Sequence, residues 1–184
     1  KKITLLFALL ISSIGFSQQV LLDDFESSPT IAGFEGIGEA SIAAAPEGSN
    51  GDSFKIITST SGRPWQGASV DFASGILVDL TTDKTITVDV YSTVALSLMA
   101  KAEDKVNNTA PAAANTQSHT GNGWETLTFS FTTGSDGSAT ANGDYSRISF
   151  FPNRTSGDDG WNDPIIDATI YIDNIKGTKK TATP

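Results

Sequence analysis

The sequence predicts an all-β fold, an antiparallel sandwich of eight to nine strands with jelly-roll topology. Three observations predict it. Apolar residues after residue 19 alternate with period two, clusters of Gly, Ser, Thr, Asn and Asp divide them into short runs, and helical periodicity is nearly absent. Strands of this kind bury one face and expose the other to water. Eight or nine of them separated by turns close most simply into a jelly roll.

The first 19 residues have the pattern of a secretory signal peptide. Lys1 and Lys2 precede an uncharged run from residue 3 to 16, and Gly15 and Ser17 supply small residues at the right distance for cleavage near Ser17 and Gln18. The run is too short to cross a membrane, which takes roughly 20 apolar residues. A buried core helix and a terminal membrane anchor are the alternatives. No Cys follows the run, so no lipid is attached at a cysteine, and we expect a secreted, cell-surface or periplasmic protein.

Eight segments after the leader alternate as strands do, and a ninth, weaker one lies within residues 38–44. In the clearest, Leu127, Phe129 and Phe131 point one way while Thr and Ser residues point the other. The phenylalanines at 25, 54, 72, 129, 131 and 150 fall on the apolar phase and are predicted to form the core. The eight segments are residues 20–25, 53–58, 68–73, 85–91, 95–102, 124–132, 145–151 and 168–176.

These segments fit one domain, residues 20–177, followed by a tail at 178–184 that has linker composition. We expect further domains after Pro184 and a monomer. Without the leader, 10 Lys and Arg face 21 Asp and Glu, a net charge of −11. Such acidity argues against nucleic acid and anionic membranes as partners. The chain has no Cys, so stability comes from the core, with a bound metal as the other source.

The residues needed for common catalytic sites are missing. The only His, His119, lies in a polar segment and is interpreted as a solvated loop residue. One His and no Cys leave no zinc site and no nucleophile activated by a neighbouring base. A carboxylate pair of the glycosidase type is harder to exclude in so acidic a chain. The sequence therefore favours a protein that is not an enzyme.

The order and spacing of several short motifs resemble carbohydrate-binding modules of the family 4, 9 and 22 jelly-roll group. Similar modules occur in secreted polysaccharide-utilisation proteins of marine Bacteroidetes. Lys101 and Glu103 match a Lys-x-Glu that relatives often carry in the central strand, whereas the Ala-rich residues 110–115 depart from the pattern. The motifs are LLDDFE at 21–26, DSFK at 52–55, PWQGA at 64–68, TITVDVYS at 85–92, GWETLTF at 123–129, YSRISFFP at 145–152 and YIDNI at 171–175.

The resemblance implies a structural calcium ion that links the first, the following and the last strand. Its ligands would be the carbonyl oxygens of Asp24 and Lys55 and the side chains of Glu26, Asp52 and Asp173. Calcium takes six to eight oxygen ligands. A cation would also relieve repulsion among the three carboxylates. The alternative is that these are scattered acids on the surface of an acidic protein.

A sugar-binding surface needs exposed aromatic rings beside hydrogen-bonding groups. Trp65 and Trp161 lie in turn-rich segments and are predicted to stack on sugar rings. Trp124 begins a predicted core strand, which favours a cap on the sandwich edge. Tyr91, Tyr145 and Arg147 fall on polar strand phases, where they line a sheet or simply face solvent. The predicted hydrogen-bonding partners of the sugar are Arg63, Gln66, Asn153, Arg154 and Asp158.

The sequence thus predicts a non-catalytic module that binds a neutral polysaccharide and holds an attached enzyme or cell surface near it. A β-glucan such as laminarin is the first expectation, from the resemblance. Two alternatives stay open: an adhesive or spacer module without glycan binding, and a hydrolase or lyase with an unrecognised carboxylate pair.

Overall fold

The computed structural model describes residues 18–47, 51–157 and 159–181, and the regular structure in these ranges is entirely β. No helix capable of crossing a membrane occurs in them. The strands are β1 (Val20–Asp23), β2 (Thr30–Phe34), β3 (Glu39–Ala44), β4 (Asp52–Ile57), β5 (Gly67–Asp71), β6 (Ile76–Asp79), β7 (Thr85–Ser92), β8 (Leu96–Glu103), β9 (Ala113–His119), β10 (Gly123–Ser130), β11 (Asp144–Tyr145), β12 (Arg147–Arg154), β13 (Thr169–Gly177) and β14 (Lys179–Thr181).

Two large antiparallel sheets form the sandwich. The six-stranded sheet has the order β10-β7-β13-β4-β3, with β1 also paired to β13. The five-stranded sheet has the order β2-β5-β12-β8-β9. A small third sheet, β11-β6-β14, lies apart from both in the pairing scheme. Apart from the consecutive pairs β3–β4 and β8–β9, neighbouring strands in the two large sheets come from distant parts of the chain, as in a jelly roll.

The alternation in the sequence explains which faces meet. Along β7, every second residue from Ile86 to Ser92 is buried, and the residues between them are half-exposed. The inner faces of the two large sheets pack together through these apolar residues. All six phenylalanines predicted for the core are buried: Phe25, Phe54, Phe72, Phe129, Phe131 and Phe150.

The fold class is confirmed, but the strand count is not. The structure has 14 strands in its described residues, and several of those without a clear alternation in the sequence are short or lie at the edge of a sheet. β2, β6, β9 and β14 were not among the predicted segments, and the segment predicted at 145–151 begins in β11 and continues into β12. The tail was predicted to be a linker from residue 178, yet Lys179–Thr181 pairs with Ile76–Leu77–Val78 of β6. Residues 1–17 of the predicted signal peptide, and 182–184 of the tail, lie outside the described residues.

Candidate functional site

The candidate site lies on the outer face of the five-stranded sheet. Along β12, Ile148 and Phe150 enter the core, so that Arg147, Ser149 and Phe151 face outward. A hollow of about 280 Å³ lies over this face. We call it the groove, and its lining consists of Phe34, Glu35, Trp65, Ser69, Lys101, Glu103, Lys105, Arg147, Ser149 and Phe151.

Aromatic rings form one side of the groove. The ring centroids of Phe34 and Phe151 are 5.1 Å apart, and those of Phe151 and Trp161 are 5.8 Å apart. Trp65, from the segment before β5, also lines the groove and is 43% exposed. The groove therefore offers apolar ring surface to a ligand, and Trp161 packs against this surface from beside the lining.

Gly67 makes room for this arrangement. It pairs with Phe34 across the β2–β5 ladder. A Cβ atom at Gly67 would lie 2.8 Å from the Phe34 ring and 2.2 Å from the carbonyl oxygen of Phe150. Only glycine allows the Phe34 ring to lie this close to β5. The turn after β2 also needs an uncommon backbone conformation, because Glu35 and Gly36 have positive φ angles of 55° and 79°.

Arg147 anchors the polar side. It pairs with Asp71 across the β12–β5 ladder, where Nη2 donates to Oδ2 at 2.9 Å and Nε donates to Oδ1. The hydrogen bonds to Asp71 raise the pKa of Arg147 above its usual value, and the nearby charges of Asp71 and Glu103 add to the rise. Two of the five guanidinium N–H groups are used in this pair. The pairing therefore fixes the plane of the guanidinium and leaves donors for a ligand.

Glu103 and two lysines complete the polar side. Ser149 Oγ donates to Glu103 Oε2 at 2.7 Å, and Lys105 Nζ lies 3.6 Å from Glu103 Oε1. Lys101 lies between Ser149 of β12 and Ala114 of β9 in the sheet register. Donors and acceptors thus stand next to exposed rings, an arrangement suited to a ligand with hydroxyl groups on an apolar frame.

Three of the residues predicted from sequence lie at the groove or its margin. Trp65 lines the groove, and the Arg63 side chain is exposed, with Cζ 5.8 Å from the centroid of the Trp65 ring. Trp161 is half-buried between Phe151 and Arg154, beside the groove lining.

Gln66 and Asn153 do not fit the predicted contact with a sugar, because both are fully buried. Gln66 Oε1 accepts from the Ser59 N–H at 2.7 Å, and its Nε2 donates to the Ser59 carbonyl at 2.8 Å. Asn153 Nδ2 donates to the carbonyls of Pro64 and Asn162, and Oδ1 accepts from the Ile166 N–H. Both amides satisfy backbone groups of the loops that carry the tryptophans.

Arg154 also differs from its prediction. Its side chain is only 3% exposed, with Nη1 3.2 Å from Asp136 Oδ1 and Cζ 4.6 Å from the centroid of Trp161. It borders a separate hollow of about 260 Å³ rather than the groove. Arg154 therefore supports Trp161 from behind. Asp158 lies outside the described residues.

Sequence reasoning missed six residues of the groove lining: Phe34, Glu35, Ser69, Lys105, Ser149 and Phe151. Strand alternation in β12 could have identified Phe151, because it shares a phase with Arg147 and Ser149. No such signal marks Phe34, at the end of a strand that was not predicted. Tyr145, considered for the same face, is fully buried, and its hydroxyl donates to the Pro111 carbonyl at 3.0 Å.

His119 is not a solvated loop residue. It ends β9 and is 2% exposed. Nδ1 accepts from the Gly121 N–H at 3.0 Å, so Nε2 carries the proton and donates to the carbonyls of Val90 and Gly123 at 3.1 and 3.0 Å. With both ring nitrogens occupied by backbone groups, His119 joins the two sheets and has no free nitrogen for proton transfer.

The predicted calcium ligands lie just after β1, in β4 and in β13. Glu26 Oε1 accepts from the Asp52 N–H at 2.8 Å, Asp24 is half-buried, and Lys55 is opposite Tyr171. Asp173 is 4% exposed. Within the described residues, no three His, Cys, Asp or Glu side chains are grouped as a metal site. The calcium ion and this set of ligands therefore stay predictions.

The neighbouring carboxylate of Asp23 has a raised pKa, as expected where several acidic side chains lie close together. Burial raises the pKa of Asp23, the Phe25 N–H opposes the rise, and the negative charges of Asp24 and Asp173 add to it. Asp173 and Asp24 therefore do lie close enough to Asp23 to repel it, although Asp23 was not among the predicted ligands.

Comparison with known proteins finds similarity in structure only. No protein-family model matches the chain, and no curated protein matches it by sequence. A family 11 carbohydrate-binding module from Clostridium thermocellum, solved with a β-1,3-1,4-mixed-linked tetrasaccharide, is similar with a TM-score of 0.55 and 18% identity, over 86% of this chain and 94% of that one. The chain has the jelly-roll fold of carbohydrate-binding modules.

Two other solved structures are similar in fold, one a carbohydrate-binding module and the other a much longer enzyme. A family 29 carbohydrate-binding module has a TM-score of 0.51 and 10% identity, over 87% of this chain and 89% of that one. An exo-β-agarase has a TM-score of 0.57 and 13% identity over 92% of this chain, which spans only 25% of the agarase. The more specific grouping with families 4, 9 and 22 stays a prediction.

Proposed function

We propose that this chain is a non-catalytic module that binds a neutral polysaccharide in the groove. One observation carries the proposal: exposed aromatic rings and a fixed set of charged and hydroxyl groups line the same hollow on the outer face of the five-stranded sheet. Sugars have apolar CH faces edged by hydroxyl groups, so they bind best where rings and hydrogen-bonding groups meet.

Each side of the groove has its role in this proposal. Trp65 stacks on a sugar face because its ring is the most exposed, and Phe34 and Phe151 extend the apolar surface. Arg147 donates to hydroxyl oxygens, and Glu103 accepts from hydroxyl groups. Trp161 and Arg63 support the margin rather than the centre, which revises the weight that the sequence gave to Trp161.

A β-glucan is the ligand class to test first. The similar family 11 module was solved with a mixed-linked β-glucan tetrasaccharide, and laminarin is the glucan implied by the sequence motifs. In this proposal the module is exported by its leader to the periplasm, the cell surface or the medium. There it holds an attached enzyme or the cell near its glycan.

Affinity electrophoresis of the full chain in gels with laminarin, mixed-linkage β-glucan and other soluble polysaccharides tests the proposal. We expect retardation by a β-glucan, and a loss of affinity of roughly 30-fold for Trp65→Ala, the cost of removing a central contact residue. Leu21→Ala is the matched control, since Leu21 is 42% exposed on β1, outside the groove lining. Retardation by none of the polysaccharides, as a spacer module would show, overturns the proposal.

A second candidate function is glycan cleavage, because Glu35 and Glu103 both line the groove. Glu103 accepts a hydrogen bond from Ser149 and faces Lys105. These contacts suit a carboxylate that accepts hydrogen bonds from sugar hydroxyl groups better than a general acid that donates a proton. We expect no release of reducing ends from any polysaccharide that the chain binds. Release that is lost in Glu103→Gln would favour the enzyme instead.

A further inference from the structure

Three aromatic side chains form a line across the outer face of the other large sheet. Trp124 of β10 is opposite Tyr91 of β7, and Tyr91 is opposite Tyr171 of β13. The ring centroids are 5.5 Å apart for the first pair and 6.0 Å apart for the second. We call these three residues the aromatic row.

The core does not require these rings. On the same three strands, Val90, Leu127 and Ile172 fill the inner face, while the aromatic row lies on the outer phase and is half-exposed. The positions next to it on that outer phase carry ordinary polar residues, Asp89 and Thr126. Where Trp124, Tyr91 and Tyr171 pair with one another, three adjacent strands therefore all carry an aromatic residue on this polar face.

The row is held in place and bordered by hydrogen-bonding groups. Trp124 Nε1 donates to the Glu47 carbonyl at 3.1 Å, which fixes the indole ring. On one side, Thr126 Oγ1 donates to Asp89 Oδ1 at 2.6 Å. Beyond Tyr171, the register continues to Lys55, whose Nζ lies 3.0 Å from Glu39 Oε2. Fixed rings with polar neighbours are what a sugar-binding surface requires.

The charge and the size of the surface around the aromatic row indicate which kind of molecule binds there. Asp89 and Glu47 make the surroundings acidic and the Lys55 charge is met by Glu39, so an anionic polymer would be repelled. Three half-buried rings expose a few hundred Å² at most, whereas each partner in a stable protein dimer contributes about 800 Å². This surface fits one or two sugar rings and is too small for a second copy of the chain.

We propose that the aromatic row is a second saccharide-binding surface, for the same neutral glycan class as the groove. This inference rests on the proposed function. Because the groove and the row lie on the outer faces of opposite sheets, one glycan chain cannot occupy both along a single face. The module then binds two chains at once and cross-links long polysaccharides.

Tryptophan fluorescence separates the two surfaces, because the chain has three Trp residues and only Trp124 belongs to the row. The double variant Trp65→Phe/Trp161→Phe keeps rings in and beside the groove and leaves Trp124 as the single reporter. We expect its emission to change on titration with mixed-linkage β-glucan and with laminarin. We expect the change to disappear when Tyr171→Ala is added.

Calorimetry with a mixed-linked tetrasaccharide gives an independent readout. We expect two binding sites in the wild type and one in Tyr91→Ala/Tyr171→Ala, with circular dichroism confirming the fold. We also expect the wild type, but not that double variant, to precipitate long β-glucan. Thr128→Ala, on the same face of β10 but outside the row, is the control and should keep both sites.

The outcomes separate this inference from the proposed function. If the wild type binds a glucan with one site, and Trp124 emission and the tyrosine variants show no effect, the row serves only as packing and the groove proposal stands. If the wild type binds no glycan and Trp124 emission does not respond to any, both proposals are overturned.

Discussion

The outer faces of the two large sheets present aromatic rings in different ways. On the five-stranded sheet, Trp65 and Glu35 come from segments outside the strands and give the groove its depth. On the six-stranded sheet, Trp124, Tyr91 and Tyr171 are all strand residues at one level of the register. Loops therefore create a hollow that surrounds a ligand, whereas strands alone create a line of rings that a ligand contacts from one side.

The charged pairs on the two outer faces also differ in how close they lie to the aromatic rings. Arg147 and Asp71 form a two-point pair within the sheet that contains the groove. Beside the aromatic row, Lys55 of β4 and Glu39 of β3 pair toward the far edge of the sheet, three and four strands away from Trp124. We expect the groove to supply orientation and specificity and the row to supply weaker, less selective contact.

The largest effect should come from Gly67→Ala, which acts only on the face with the groove. The added methyl group would collide with the Phe150 carbonyl and the Phe34 ring. We expect a loss of about 3 kcal/mol in the free energy of unfolding, and loss of glycan binding in the groove. Urea unfolding and affinity electrophoresis measure the two.

Gly160→Ala is the matched control, because a Cβ atom there meets nothing within 4 Å. Equal stability of the two alanine variants would show that Phe34 does not need the space beside β5.

The second-largest effect should distinguish the stability of the five-stranded sheet from that of the six-stranded sheet. Asp104, 5% exposed, follows β8 and accepts hydrogen bonds from the N–H groups of Val106, Asn107 and Thr109 at 3.1, 2.9 and 2.8 Å. Burial alone would raise the pKa of Asp104, but the backbone donors outweigh it and lower the pKa well below 3.8. The carboxylate thus holds the connection between β8 and β9 in its ionised form.

Asp104→Asn should lower the free energy of unfolding by about 2 kcal/mol, since an amide cannot accept at both positions. Because the folded pKa is lowered, this stabilisation is complete above the unfolded value near 3.8 and is lost as the pH falls below it. Hydrogen exchange should show β9 opening first in acid, before the strands of the six-stranded sheet. Asp167→Asn, at an exposed position, is the control, and uniform exchange in both sheets would contradict this account.

A third effect concerns only the six-stranded sheet, where β1 meets β13. If calcium binds there, as the resemblance implies, a concentration ten times Kd adds about 1.4 kcal/mol of stability. That raises the melting temperature by roughly 3–6 °C. Calorimetry and thermal unfolding after chelator treatment measure both, and Asp173→Asn should abolish them. An absence of both heat and melting shift in the wild type would contradict the prediction.

The smallest effect should come from Arg147→Lys, which keeps the charge but loses the two-point pair with Asp71. The pair is partly exposed, so we expect no more than about 1 kcal/mol in stability and roughly a 5-fold loss of affinity in the groove. Lys180→Ala removes an ion pair with Asp144 on the small sheet and should leave affinity unchanged. Unaltered binding by Arg147→Lys would show that a single positive charge is enough.

Some elements could be predicted because one physical signal dominates them. Leu127, Phe129 and Phe131 alternate strongly enough to identify both the strand and its buried face. β9 was missed because Ala113–His119 contains Ala, Asn, Gln and Ser, which pair well in a sheet but have little strand preference of their own.

The site was predicted only in part, for a related reason. Trp65 could be found because a large ring in a turn-rich segment has few ways to be buried. Gln66 and Asn153 appeared suited to a sugar, but the same amide groups also satisfy buried backbone groups of irregular loops, and only the fold distinguishes these roles. Phe34 depends on the missing side chain of Gly67, a contact between residues far apart in sequence.

The pairing of β1 with β13 has a practical consequence. Val20 lies opposite Gly177, so the backbone enters and leaves the sandwich side by side. A flexible linker between the two ends, with new termini opened in the exposed turn at residues 73–74, would give a circular permutant with the same strand pairings. In such a permutant, a fluorophore or surface tether could be attached at a point of choice without altering either strand of that pair.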